Sequence, residues 1–179
     1  MHRAAWLMAL VMAASCLLGT PAAADDRDIC RQQIGQATID ACDRIIDNSR
    51  QYSSREVAEA YINRGQQYYT LRNYNRAAAD FTSAIGLDPY HPIAYGNRGN
   101  VKHVMGQFEA AIADYSRAIE LDRGYTSAYT GRGMMYERQG RTDLAIADFR
   151  SALSIPPKYQ DGQWAHDTAR ERLQVLGAY

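Results

Sequence analysis

The chain repeats itself with a period of thirty-four residues, and this period constrains the possible folds more than any other feature of the sequence. When the sequence is written in three rows that begin at Ala58, Pro92 and Thr126, the same residue types fall in register. Each row holds a tyrosine, an Arg-Gly pair, an alanine, an aspartate, an aromatic ring and a second alanine. In the first row these residues are Tyr61, Arg64, Gly65, Ala77, Asp80, Phe81 and Ala84.

Each row contains two segments whose apolar residues recur near every 3.6 positions, which predicts two helices per row. The predicted turns between the two helices are Asn73-Tyr74-Asn75, Gly106-Gln107 and Gly140-Arg141-Thr142. One such helical pair cannot bury its own apolar face, so the rows are expected to stack into a superhelix.

The pattern of rings, glycines and alanines resembles the tetratricopeptide repeat family, over residues 58–159. The first row matches the family pattern at Tyr61, Gly65, Tyr68, Ala77, Phe81, Ala84 and Pro89, and the third row at the equivalent positions from Tyr129 to Pro157. In the second row Lys102 replaces an aromatic residue and Arg123 replaces the closing proline. The resemblance implies an all-α, right-handed superhelical solenoid that binds a protein or peptide, and it does not identify that partner.

The predicted organisation places a signal peptide at residues 1–24 and a degenerate helical hairpin with its linker at 25–57. Repeats follow at 58–91, 92–125 and 126–159, and a capping helix at 160–179. The cap is amphipathic, with an apolar side formed by Trp164, Ala165, Ala169, Leu173 and Leu176.

The first twenty-four residues have the three-part layout of a secretory signal peptide. A basic start precedes an apolar run from Ala4 to Gly19, and small residues up to Ala24 favour cleavage there. A retained membrane helix and lipidation at Cys16 are the alternatives, although the run is shorter than the roughly 20 residues of a span. No other stretch could cross a membrane, and the expected location is the periplasm.

Cys30 and Cys42 remain after processing, and an even number in an exported chain predicts a disulfide. It would join the two arms of the N-terminal hairpin. Two unpaired buried thiols are the alternative.

Every row has an arginine before its glycine and an aspartate sixteen residues later. In an antiparallel hairpin these positions come close together, which predicts the pairs Arg64–Asp80, Arg98–Asp114 and Arg132–Asp148. If partly exposed, such pairs add less than about 1 kcal/mol each. The alternative is a ladder of arginines that binds an anionic ligand.

The first helix of each repeat is expected to line the concave surface. The residues predicted to face a ligand are Ile62, Asn63, Gln66, Tyr69, Asn97, Asn100, His103, Val104, Thr130, Met134, Glu137 and Arg138. The resemblance implies that Asn63 and Asn97 bind a peptide backbone. The third row has Gly131 at the equivalent position, so the series of asparagines ends after two repeats. A merely solvated polar face is the alternative reading of the same residues.

Other function classes find little support in the sequence. The balance of 20 basic and 20 acidic residues argues against nucleic acid as a partner. His91, His103 and His166 lack metal-binding spacing, and no nucleophile or nucleotide motif occurs. We therefore expect no enzyme activity, no metal and no cofactor.

The expected function is that of a protein-interaction module outside the cytoplasm. One alternative is a homo-oligomeric or complex-bound scaffold that uses exposed Tyr69, Tyr90 and Tyr125. An accessory subunit of an enzyme acting on envelope polymers is the alternative from another class. The sequence leaves the oligomeric state open.

Overall fold

The computed structural model describes residues 22–32 and 34–179, and within them the chain forms helices and turns without a strand. The helices are α1 (Ala22–Gln32), α2 (Gln36–Asp47), α3 (Ser54–Thr70), α4 (Tyr74–Leu87), α5 (Pro92–Val104), α6 (Phe108–Leu121), α7 (Thr126–Arg138), α8 (Thr142–Ser154) and α9 (Gly162–Val175). One turn of 3₁₀ helix, Ser49–Gln51, joins α2 to α3. The all-α prediction is confirmed for this part of the chain.

Neighbouring helices pack in antiparallel pairs, and each pair packs on the next to form a solenoid. The repeat pairs are α3–α4, α5–α6 and α7–α8, and α1–α2 forms a further hairpin at the N-terminal end. Helix α9 packs against α7 and α8 and closes the C-terminal end. The predicted leader lies, up to residue 21, outside the described residues, as does the candidate lipidation site Cys16.

A buried ring at the centre of each repeat packs against the glycine of the first helix. A Cβ atom on Gly65 would lie 2.8 Å from the Phe81 ring, and Gly99 and Gly133 contact Tyr115 and Phe149 in the same way. Because these glycines lack a side chain, the ring of the second helix can lie directly against the first helix.

The turns inside the repeats share one backbone conformation. Arg72, Gly106 and Gly140 occupy equivalent positions, and their φ angles are 59°, 74° and 70°. The left-handed conformation ends the first helix of each repeat, and glycine adopts it most easily. Helix α4 begins at Tyr74, so the predicted turn Asn73-Tyr74-Asn75 is wrong at its last two residues, and Asn73 instead caps the helix.

The N-terminal hairpin is joined by a disulfide between its arms. The sulfur atoms of Cys30 and Cys42 lie 2.12 Å apart and both residues are buried with Ile45 and Ala60. At the other end, Ala165, Ala169 and Leu173 of α9 are buried, as predicted for a cap. Trp164 is 52% exposed, so its predicted place on the buried side is wrong.

Candidate functional site

A depression of about 700 Å³ lies on the surface formed by the first helices. We call it the groove. Its floor and sides are formed by α3 and α5, and its ends by the hairpin tip at Ile34 and the loop before α9. The lining residues are Ile34, Gln66, Gln67, Tyr69, Thr70, Phe81, Ile93, Asn97, Asn100, Tyr125, Tyr159, Gln160 and Asp161.

Amide side chains supply most of the hydrogen-bonding capacity of the groove. Asn97 Nδ2 is buried and has no partner within the described residues. Asn100 Oδ1 accepts a hydrogen bond of 2.8 Å from the Tyr115 hydroxyl, and Gln67 Oε1 accepts one of 2.9 Å from the backbone N–H of Gly35. Asn100 and Gln67 therefore position the walls, whereas the Asn97 amide contributes a buried donor that no described residue accepts.

The C-terminal end of the groove is a loop that is held by hydrogen bonds to the turn that follows α6. The Tyr159 hydroxyl and the Lys158 ammonium both donate to Asp122 Oδ2, and Asp122 Oδ1 accepts the backbone N–H of Gly124. The Tyr125 and Tyr159 rings meet edge to face with centroids 4.7 Å apart. Burial raises the pKa of both phenols, so both are neutral at physiological pH.

Four of the residues predicted to face a ligand lie in the groove, namely Gln66, Tyr69, Asn97 and Asn100. Asn63 lies elsewhere. It lines a small cavity beneath α1 together with Cys30 and Glu59. The structure therefore separates the two asparagines that the resemblance paired.

Two predicted ligand-facing residues are core residues, and the prediction is wrong for both. Ile62 is 5% exposed and packs with Phe81 and Val101. Thr130 is fully buried, and its hydroxyl donates to the backbone carbonyl of Ala165 in α9 at 3.1 Å. The cap helix covers the part of α7 on which Thr130 lies.

Three further predicted residues, Met134, Glu137 and Arg138, line a separate depression of about 280 Å³ with Arg172. Arg172 Nε donates to Glu137 Oε2 at 2.9 Å, so the cap helix neutralises this carboxylate. The Arg138 guanidinium lies over the Phe108 ring, 5.7 Å from its centroid.

His103 lies in the last turn of α5, and its ring centroid is 6.5 Å from that of Phe108. Burial and the neighbouring Arg138 lower its pKa, which favours the neutral imidazole. Val104 is exposed at the end of α5 and does not line the groove.

The repeated arginines and aspartates form bidentate ion pairs. In each pair the guanidinium Nε and Nη2 atoms donate to the two carboxylate oxygens at 2.7–2.9 Å. The third nitrogen, Nη1, donates to the second helix of the preceding hairpin. Its acceptors are Asp43 for Arg64, Thr82 for Arg98 and Ser116 for Arg132. With every arginine engaged in this way, the geometry does not support a ladder for an anionic ligand.

Sequence reasoning missed the aromatic end of the groove. Tyr125, which was expected to be exposed, is 2% exposed, and a Cβ atom on Gly96 would lie 2.6 Å from its ring. The signal was Gly96 itself, since the other rows have Ile62 and Thr130 at that position. Ile34 and Asp161 lie in loops outside residues 58–159, where the repeat gives no register, and Tyr159 is the last residue of the third row, equivalent to Tyr125.

No group of three or more metal-ligating side chains comes together in residues 22–32 and 34–179. Within the same residues, no helix is both long enough and apolar enough to cross a membrane.

Family models for the tetratricopeptide repeat match the chain at residues 58–91, 92–125 and 126–159. No curated protein matches it. Among solved structures, the TPR domain of Arabidopsis OM64 is 28% identical, with a TM-score of 0.58, over 66% of this chain and 98% of that one.

Two other similar structures add different information. The first TPR of Spaghetti (RPAP3), bound to the HSP90 peptide SRMEEVD, is 26% identical over 70% of this chain and 96% of that one, with a TM-score of 0.59. MamA covers 88% of this chain and 95% of its own at 20% identity, with a TM-score of 0.63, and shows the fold alone.

Proposed function

We propose that this chain, which belongs to the tetratricopeptide repeat family, holds an extended segment of a partner protein in the groove between α3 and α5. The family and its peptide-bound relative support an interaction module. The groove has the size and the hydrogen-bonding side chains for that role.

The observation that carries the proposal is the unpartnered amide of Asn97. A buried donor without an acceptor costs free energy, on the order of 1–3 kcal/mol. A carbonyl group of a bound main chain would remove that cost, and the neighbouring Gln66 offers both a donor and an acceptor beside it. Tyr69 and Ile93 supply apolar surface for side chains that point into the groove.

We also propose that the protein acts outside the cytoplasm, in the periplasm, after removal of a leader at residues 1–24. Support comes from the layout of that leader in the sequence and from the Cys30–Cys42 disulfide, since such bonds persist in oxidising compartments.

The proposal is tested by affinity capture from a native envelope extract with wild-type protein and an Asn97→Ala/Gln66→Ala variant. Asn100 is left intact because its loss would strip the buried Tyr115 hydroxyl of its acceptor. Asn63→Ala is the matched control, because Asn63 lies beneath α1 and not in the groove.

We expect a protein that wild type and the Asn63→Ala control retain and that the double variant loses. Equal retention by all three would contradict the groove as the binding site. Recovery of the chain itself as the retained protein, lost with Tyr90→Ala, would favour the self-assembling scaffold, since Tyr90 is 75% exposed.

A further inference from the structure

We propose that the segment bound in the groove presents a lysine or arginine to Asp161 and carries no acidic side chain within the groove. This inference rests on the proposed function and names the chemistry of the partner. It is based on the charge of the groove and on one carboxylate, that of Asp161, which has no cation as a partner among the described residues.

Asp161 is the only charged residue among the described residues that line the groove. It occupies the N-cap position of α9, yet its side chain makes no capping hydrogen bond. It also forms no ion pair within residues 22–32 and 34–179. A carboxylate that is neither a cap nor half of an ion pair can accept a cation from a ligand.

The residues beside Asp161 suit a long basic side chain. Tyr159 is half-buried and presents aromatic surface next to it, and the buried Tyr125 ring packs behind Tyr159. Aromatic faces attract cations and also pack against the aliphatic stems of lysine and arginine. Lys158 lies 5.2 Å from the Tyr159 centroid, but its ammonium is bound to Asp122, so it does not neutralise Asp161.

An acidic segment would find no cation in the groove. Lys158 is bound to Asp122, and Arg138 and Arg172 line the other depression, where Arg172 is paired with Glu137. A glutamate or aspartate in the groove would therefore lose water without gaining a partner and would be repelled by Asp161. An acidic peptide such as SRMEEVD, which a similar structure binds, should not bind here.

The test is selection of a displayed library of random dodecapeptides on three proteins purified from the native host. These are wild type, Asp161→Asn and the control Asp167→Asn, which changes an exposed carboxylate of α9 outside the groove. For wild type and the control we expect enriched peptides with one fixed basic position and few acidic residues. For Asp161→Asn we expect peptides without the basic preference.

A double-mutant cycle then measures the contact. The best wild-type peptide and its basic→Gln version are titrated against wild type and Asp161→Asn. We expect the peptide change to weaken binding to wild type by about tenfold, as for one charge-assisted hydrogen bond, and to leave binding to Asp161→Asn unchanged.

The outcomes separate this inference from the proposed function. Two results would overturn the role of Asp161 and leave the groove as a binding site. In the first, the selected peptides compete with one another but show no preference for a basic residue. In the second, the basic→Gln change weakens binding to wild type and to Asp161→Asn equally. Selection of no peptide by any of the three proteins would overturn both.

Discussion

A single arginine in each repeat connects three helices. Arg132 lies on α7, binds Asp148 of α8 with two hydrogen bonds, and donates a third to Ser116 of α6. Its guanidinium also lies 5.9 Å from the Tyr129 centroid. The aspartate side chains of the three pairs are only 6–8% exposed. The small stability expected for exposed pairs therefore does not apply, because loss of the arginine leaves a buried carboxylate uncompensated.

The first prediction concerns the aspartates that depend on these arginines. Asp148 has Arg132 as its cation, whereas Asp114 has both Arg98 and Lys102, whose Nζ lies 2.7 Å from Oδ2. Arg132→Ala should lower the free energy of unfolding by about 3 kcal/mol. Arg98→Ala should cost less, because Lys102 still pairs with Asp114.

Urea denaturation of the two variants checks this order. Arg117→Ala is the control, since its pair with Glu120 is exposed and should contribute below about 1 kcal/mol. Equal losses for Arg132→Ala and Arg98→Ala would show that Lys102 does not compensate. A loss for Arg132→Ala no larger than that for the control would contradict the structural role of these pairs.

At the scale of the helices, one tyrosine explains why the third repeat has a glycine where the first two have an asparagine. The second repeat has Tyr115 where the first and third have phenylalanine, and its ring extends past Gly99 to α7. A Cβ atom on Gly131 would lie 2.6 Å from the Tyr115 Cζ atom. Any side chain at this position, asparagine included, would push α6 and α7 apart.

The second prediction follows from this contact. Gly131→Ala should destabilise the protein by about 1–3 kcal/mol because the buried ring has no room to move. Gly86→Ala is the matched control: Gly86 is exposed near the end of α4 and has nothing within 4 Å of the added carbon. That change should be neutral or stabilise the protein by up to about 1 kcal/mol. Thermal unfolding of both variants provides the measurement, and a neutral Gly131→Ala would contradict the packing described.

The period made the helices and the Arg–Asp pairs predictable, because residues sixteen apart in an antiparallel hairpin face each other in every repeat. It could not predict which first-helix residues reach solvent at the ends of the array. Asn63 is covered by α1 and Thr130 by α9, and neither helix belongs to the regular repeats. The end walls of the groove were missed for the same reason, since Ile34 and Asp161 lie in loops outside the period.

For the whole molecule, the two ends define the extent of the proposed binding surface. Ile34, which is 83% exposed, borders the groove at the N-terminal hairpin, and Asp161 borders it before the cap. Only the last part of α3 and the middle of α5 remain open between them. The groove is therefore short, which suits a brief extended segment better than a long helix.

The most direct test of this account is site-specific photocrosslinking in the native host. Gln66, an exposed residue of the groove, is replaced with p-benzoylphenylalanine, and Glu120 on α6 is replaced in the same way as a control. We predict that irradiation links position 66, but not position 120, to a second protein. An adduct that forms only at position 120, or equally at both positions, would contradict the groove as the binding surface.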